Sequence, residues 1–169
     1  GAPRAATVSD GRGVFRFDGR PEGAALIQAT YQGVPYNLVL GAGAPASGLT
    51  LEVYDVTSRR GAAKVIEDVV ILEPLGAQLS VRESIVWQNP GQETYRDPAG
   101  GTLRFYAPEG ARDSLRVFAA APGGVPSEQA ASPAGAPGVY KVDFPIRPGD
   151  TSFEIRYTAP VTTPGSFSG

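Results

Sequence analysis

From Gly138 to Thr158 apolar and polar residues alternate with a period of two. Tyr140, Val142, Phe144 and Ile146 stand against Lys141, Asp143 and Pro145; beyond Arg147-Pro148-Gly149-Asp150, Phe153, Ile155 and Tyr157 stand against Glu154 and Arg156. That period predicts a β-hairpin with one apolar and one charged face. A two-stranded ribbon is marginal alone, so its aromatic face requires a second sheet, and the fold class expected is an all-β protein of sandwich type.

The rest of the chain reads the same way. Val14–Phe17, Ala25–Gln32, Tyr36–Leu40 and Leu49–Tyr54 are short strand patterns separated by Ser9-Asp10-Gly11-Arg12-Gly13, Asp18-Gly19-Arg20-Pro21 and the small-residue run from Gly41 to Gly48. Beyond Ser58-Arg59-Arg60-Gly61 the strand patterns are Val65–Leu72, Leu79–Trp87, Thr102–Tyr106, Leu115–Ala119, Val139–Ile146 and Phe153–Thr158, a spacing suited to an immunoglobulin-like sandwich. Gly123 to Gly138 reads as a long loop, and Gly or Pro interrupts every candidate helix. The organisation expected is a partial β-module over 1–58, a self-sufficient sandwich over 59–160 and an extended tail over 161–169. Four strands are too few to close the first module, so its edge needs a cover.

Composition changes this picture mainly by exclusion. With 22 Gly and 16 Pro among 169 residues, the chain has the punctuation of many short strands. The net charge of −2 and the scattered Arg leave no basic footprint, so neither nucleic acid nor membrane insertion is expected. There is no Cys and no His. Disulfides, thiol nucleophiles, histidine-ligated metals and a Ser-His-Asp triad are therefore outside its chemistry, and no cofactor or catalytic residue is assigned.

What chemistry is left rests on carboxylates, loop oxygens and aromatic rings. Glu67-Asp68 and Asp143 with Glu154 are the carboxylates for acid/base work, but alternation puts them on a solvated face beside Lys141 and Arg156. Glu83 has the parity of Val81 and Ile85; the reading preferred is a bulge near Arg82–Ser84 that turns it outward. Asp10, Asp18 and Asp97 offer calcium ligands without the spacing of a calcium loop, which favours Asx turns. Ser166 and Ser168 lack the nucleophile-elbow spacing. Tyr31, Tyr36, Tyr54, Trp87, Tyr95 and Tyr106 could stack on carbohydrate. Trp87 is expected in the core, and Tyr95, in the Gln92–Asp97 loop, is the aromatic expected to be exposed.

The phrase Thr7-Val-Ser-Asp-Gly-Arg-Gly-Val-Phe-Arg-Phe17 resembles the later part of the carboxypeptidase regulatory-like (prealbumin-like) domain. Leu26 to Tyr36 with Leu49 to Asp55 is similar to the continuation of that segment in exported bacterial proteins, and Val65 to Pro160 to the immunoglobulin-like region appended there. The resemblance implies an extracellular, periplasmic or cell-surface setting and a non-enzymatic role. The opening strands of that family are not found before Thr7: either the chain begins mid-domain or another chain supplies them by β-strand addition. The expected partners are other copies of the same chain, joined through Ala5, Thr7 and Val8 at one end or Val161 and Thr163 at the other, in an oligomer or filament. The alternative is an accessory module binding carbohydrate or peptide within a larger envelope protein.

Overall fold

A computed structural model describes residues 5–19 and 21–161. The fold is all-β; among the described residues the one helical element is a 3-10 turn, Glu109–Ala111. The chain divides into two compact units, the first ending at Val53 and the second beginning at Tyr54.

The first unit is built on one hairpin, β1 (Ala25–Tyr31) and β2 (Val34–Leu40), in register from Ala25 opposite Leu40 to Tyr31 opposite Val34. Gln32 and Gly33 form its two-residue turn with φ of +47° and +78°. Positive φ at both central positions is the type I′ geometry that matches strand twist. Val34, Tyr36 and Leu40 are buried on one face of β2, while Leu26 and Val39, directly opposite each other, are exposed. Two of the four strands expected here are not formed. At Val14–Phe17 there is no ladder: Asp10 Oδ1 accepts the N–H groups of Arg12 and Val14, both at 2.9 Å, so the backbone closes on an Asx turn. Leu49–Tyr54 is also without a ladder; in the second unit Asp55 O accepts the Thr94 N–H at 2.7 Å, and β3 (Val56–Thr57) runs parallel to β6 (Thr94–Tyr95).

The second unit is sandwich-like. Its larger sheet is antiparallel, in the order β4-β5-β12-β8-β9: β4 (Lys64–Leu75), β5 (Gln78–Asn89), β12 (Gly149–Pro160), β8 (Arg116–Ala120) and β9 (Ser127–Gln129). The smaller has the order β10-β11-β7: β10 (Ser132–Pro133), β11 (Val139–Val142) and β7 (Leu103–Tyr106). Inward residues of β12 (Phe153, Ile155, Tyr157, Ala159), β5 (Val81, Ile85) and β8 (Val117, Ala119) form one cluster with Leu103, Phe105, Tyr140 and Val142 of the smaller sheet. Burial along β12 alternates residue by residue from Thr151 to Ala159, the period its sequence shows.

The expected hairpin from Tyr140 to Tyr157 is corrected. β11 pairs with β7 and β12 pairs with β5 and β8, so the two strands lie in different sheets. Pro145 and Pro148 have no N–H to continue a ladder, and the remaining groups of the crossing are engaged elsewhere. Phe144 N–H donates to Thr102 Oγ1 at 2.8 Å, and Ile146 and Tyr95 exchange N–H···O bonds of 2.9 Å each way. Ile146, fully buried, is the pivot at which the chain changes layers. The long loop from Gly123 to Gly138 is corrected too, since it holds β9 and β10, which place the chain on both sheets in turn.

Asn89 ties this corner together. Its side chain is 2% exposed; Nδ2 donates to Glu93 O at 2.7 Å and Ile146 O at 3.0 Å, and Oδ1 accepts the Gly91 N–H at 3.0 Å. One amide thus satisfies backbone groups of the β5–β6 turn and of the crossing between sheets.

Candidate functional site

β4 and β5 form a twelve-residue hairpin closed by Gly76-Ala77, with Gly76 at φ +61°, the residue a type II′ turn takes at its first central position. β5 is covered on both sides, by β4 and β12. β4 is the outer strand, and all twelve of its residues are exposed. Val65, Ile66, Val69, Val70, Ile71, Leu72 and Leu75 each keep between 44% and 58% of their surface open to solvent. Large apolar side chains on both faces of a long edge strand are what water-soluble sheets usually avoid, by short edges, charges, Pro or covering segments.

The register explains why both faces are bare. Asp68, Val70 and Leu72 lie opposite Ile85, Glu83 and Val81 of β5, so they point to the side where the smaller sheet would lie; Val69, Ile71 and Glu73 lie opposite Ser84, Arg82 and Ser80 on the other side. Among the described residues the smaller sheet ends at β7, which pairs with β11 alone, one strand short of covering β4. This leaves a cleft of about 360 Å³ lined by Val65, Val70, Trp87, Phe105, Tyr106 and Tyr157, with Asp68 and Glu83 in its wall. Trp87 stacks on Tyr95 at a ring separation of 6.5 Å, and its buried Nε1–H has no hydrogen-bond partner among the described residues. An unmet buried donor costs about 1–3 kcal/mol.

Glu83 keeps the inward parity of its strand. β5 pairs without interruption through Arg82–Ser84, which corrects the expected bulge; the register shift lies instead on β4, between Val65 and Glu67. Burial holds the Glu83 carboxyl above its ordinary range, and the charge of Asp68 and a hydrogen bond between the two side chains act in the same direction. Burial likewise raises the Tyr157 hydroxyl, with Glu83 and then Tyr106 adding to it. Asp68 and Glu83 thus place two carboxyl groups, and Arg104 a guanidinium, among the residues that line the cleft.

The other carboxylates are on the solvated surface. Asp143 is held by Arg96 in a two-pronged pair at 2.7 and 3.1 Å, and Glu154 accepts from Arg156 at 2.6 and 2.9 Å and forms an ion pair with Arg82 at 3.2 Å. The hydrogen bonds from Arg156 lower the Glu154 carboxyl below its usual range against a smaller effect of burial, with the Arg156 and Arg82 charges adding to it. Asp97 Oδ1 accepts the Gly100 N–H at 2.8 Å, three residues on, where Asp10 accepts from the Arg12 N–H two residues on. Among the described residues no three carboxylates gather at one point, and no helix is long and apolar enough to cross a membrane.

Ala5, Thr7 and Val8 are exposed and outside any ladder, Val8 at 89%. Val161 donates its N–H to Ala77 O at 3.0 Å, prolonging the β12–β5 ladder beside the hairpin turn. Thr163, Ser166 and Ser168 lie outside the described residues. Tyr95 is not an exposed aromatic: it is 9% exposed, because the Gln92–Asp97 segment contains β6 and pins Tyr95 between Ile146 and Trp87.

No family model matches the chain, and comparison with curated proteins and with solved structures gives no match. The case for function therefore rests on the site itself. Sequence reasoning placed a strand at Val65–Leu72 but did not mark it as an outer one. The available signal was the company of that run: Lys64, Glu67, Asp68, Glu73 and Pro74 within twelve residues are the guards of an edge.

Proposed function

We propose that this chain is a non-enzymatic structural subunit that assembles by β-strand addition, with β4 accepting an extended strand from another copy. The observation that carries the reading is the twelve-residue outer strand exposed on both faces above an open cleft. Added main-chain pairing would satisfy its outward N–H and C=O groups, and alternate side chains of the guest would enter the cleft. Full burial of a Val, Leu or Ile is worth about 1.5–3 kcal/mol. With roughly half of each of seven such side chains still exposed, covering them offers on the order of 5–10 kcal/mol, comparable to the cost of association. An extracellular or cell-surface setting belongs to the same proposal and is supported by the resemblance to exported envelope proteins alone.

The test is sedimentation velocity and negative-stain microscopy of the full chain over a range of concentrations. Concentration-dependent oligomers or filaments are expected, and they should be lost when Ile71→Lys and Leu72→Lys place one ammonium on each face of β4. A chain that stays monomeric at every concentration overturns the proposal.

A further inference from the structure

Resting on that reading, we infer that the strand received by β4 is β1 of a second copy, paired antiparallel with Leu26 opposite Leu72, Gln28 opposite Val70 and Thr30 opposite Asp68. Two-residue turns decide which main-chain groups of each hairpin face outward. Beside its turn, Tyr31 and Val34 exchange both bonds, so the N–H and C=O groups of Leu26, Gln28 and Thr30 point away from β2. Among the described residues no further strand or hydrogen bond engages them. The outward positions of β2 begin with Pro35, which has no N–H to offer. In the second unit the Val161 N–H bond to Ala77 O turns the main-chain groups of Ala77, Leu79 and Val81 toward β12, which leaves Asp68, Val70 and Leu72 as the outward positions of β4, with Pro74 ending that row. Three open positions on β1 thus meet three on β4.

The side chains agree with this register. Leu26, 61% exposed, comes beside Leu72, and Ile27 and Ala29 come beside Ile71 and Val69, all apolar pairs. Thr30 brings a hydroxyl that can donate to the Asp68 carboxylate. Charge points the same way. β4 carries Glu67, Asp68 and Glu73 against one cation, Lys64, so pairing it with its own copy sets like charges together, whereas the chain has no charged residue between Glu22 and Glu52. The other segments fit less well. Arg12–Phe17 turns at Gly13, φ +78°, Leu49–Tyr54 brings Glu52, and Ala5–Ser9 has no ladder to hold it extended and offers only Val8 as a large apolar side chain. β9 and β10 have three and two residues, and β7 is itself a wall of the cleft. β1 is already held as a strand by β2, so it meets its partner with its backbone ordered. Each copy gives β1 and receives at β4, a heterologous contact that makes rings or open filaments instead of two-fold pairs.

The absence of native cysteine makes the contact directly readable. In this register Ala29 and Val69 form a non-hydrogen-bonded pair, the closer kind, within reach of a disulfide. Full-length Ala29→Cys and Val69→Cys chains are mixed at assembling concentration and oxidised mildly. The disulfide between the two variants is expected in clear excess over either self-disulfide. Gln28→Pro, which removes the central outward N–H of β1, is expected to weaken assembly about tenfold. Thr30→Asp, at an exposed position, is expected to weaken it about threefold by facing Asp68, and Asp68→Lys in the same chain to restore it. Two results overturn the inference while leaving strand addition at β4 standing: a mixed disulfide no more abundant than the self-disulfides, or assembly indifferent to Gln28→Pro and Thr30→Asp yet lost on Ile71→Lys with Leu72→Lys. Monomers under all conditions overturn both.

Discussion

Asn89 offers a sharp test of how the two sheets are joined. Replacing it by Ala removes two donated and one accepted hydrogen bond from a site 2% exposed. Each is worth about 1 kcal/mol net, so about 2–4 kcal/mol of the stability of the second unit should go; Ile146 O keeps its bond from Tyr95 N–H, which limits the loss. Asn89→Asp is nearly isosteric but turns the two-donor end of the side chain into an acceptor facing two carbonyl oxygens. As a buried, unpaired charge at neutral pH it should cost more than Ala, on the order of 3–5 kcal/mol. That carboxyl will have a raised folded-state pKa, so its penalty is largest above the folded value and shrinks as pH falls toward the unfolded value of about 3.9. When protonated it can again donate one hydrogen bond. Urea unfolding monitored by fluorescence reads the right unit, because Trp87 is the only tryptophan and lies in it. Asp no worse than Ala at pH 7, or a gap from wild type that widens in acid, would refute the role assigned to the amide.

Two further substitutions probe the same packing. Because burial and Asp68 raise the Glu83 carboxyl, its native state is favoured below the unfolded pKa and loses that advantage as pH rises through the folded one; Glu83→Gln should therefore raise the urea midpoint at pH 7, with the gain disappearing on titration below about pH 4. Gly138→Ala should cost about 2–4 kcal/mol in the same assay, because Gly138 has φ +75° and a Cβ there would meet Tyr106 Cε2 at 2.5 Å and Ala107 O at 3.1 Å.

Most strands of the second unit were legible because their burial follows the parity of their residues, as on β12 and on β7, where Leu103 and Phe105 are buried and Arg104 and Tyr106 exposed. Which strands pair was not. Alternation through Phe144 and Ile146 is as regular as in a hairpin, yet these two side chains serve a crossing between layers, and parity carries no information on which sheet a strand joins. β6, β9 and β10 escaped notice because strands of two or three residues, rich in Ser, Thr and Gln, have no period to read. Earlier in the chain the reverse holds: Val14–Phe17 and Leu49–Tyr54 have the pattern of strands and, among the described residues, form no ladder. The candidate site was half legible. The inward parity of Glu83 could be read directly, but the exposure of β4 depends on the smaller sheet stopping one strand short, which no local pattern records.

The crossing at Ile146 also sets an order of events during folding. The β4–β5 hairpin closes over a two-residue turn and can form early, on the timescale of local hairpins. β12 pairs with β5 across the whole stretch from Gly149 opposite Asn89 to Pro160 opposite Gln78, contacts that wait on closure of a long intervening chain. Until β12 docks, β5 as well as β4 shows a free apolar edge. As the last strand in the described chain, β12 decides how long a nascent chain is open to premature pairing on both sides of that hairpin.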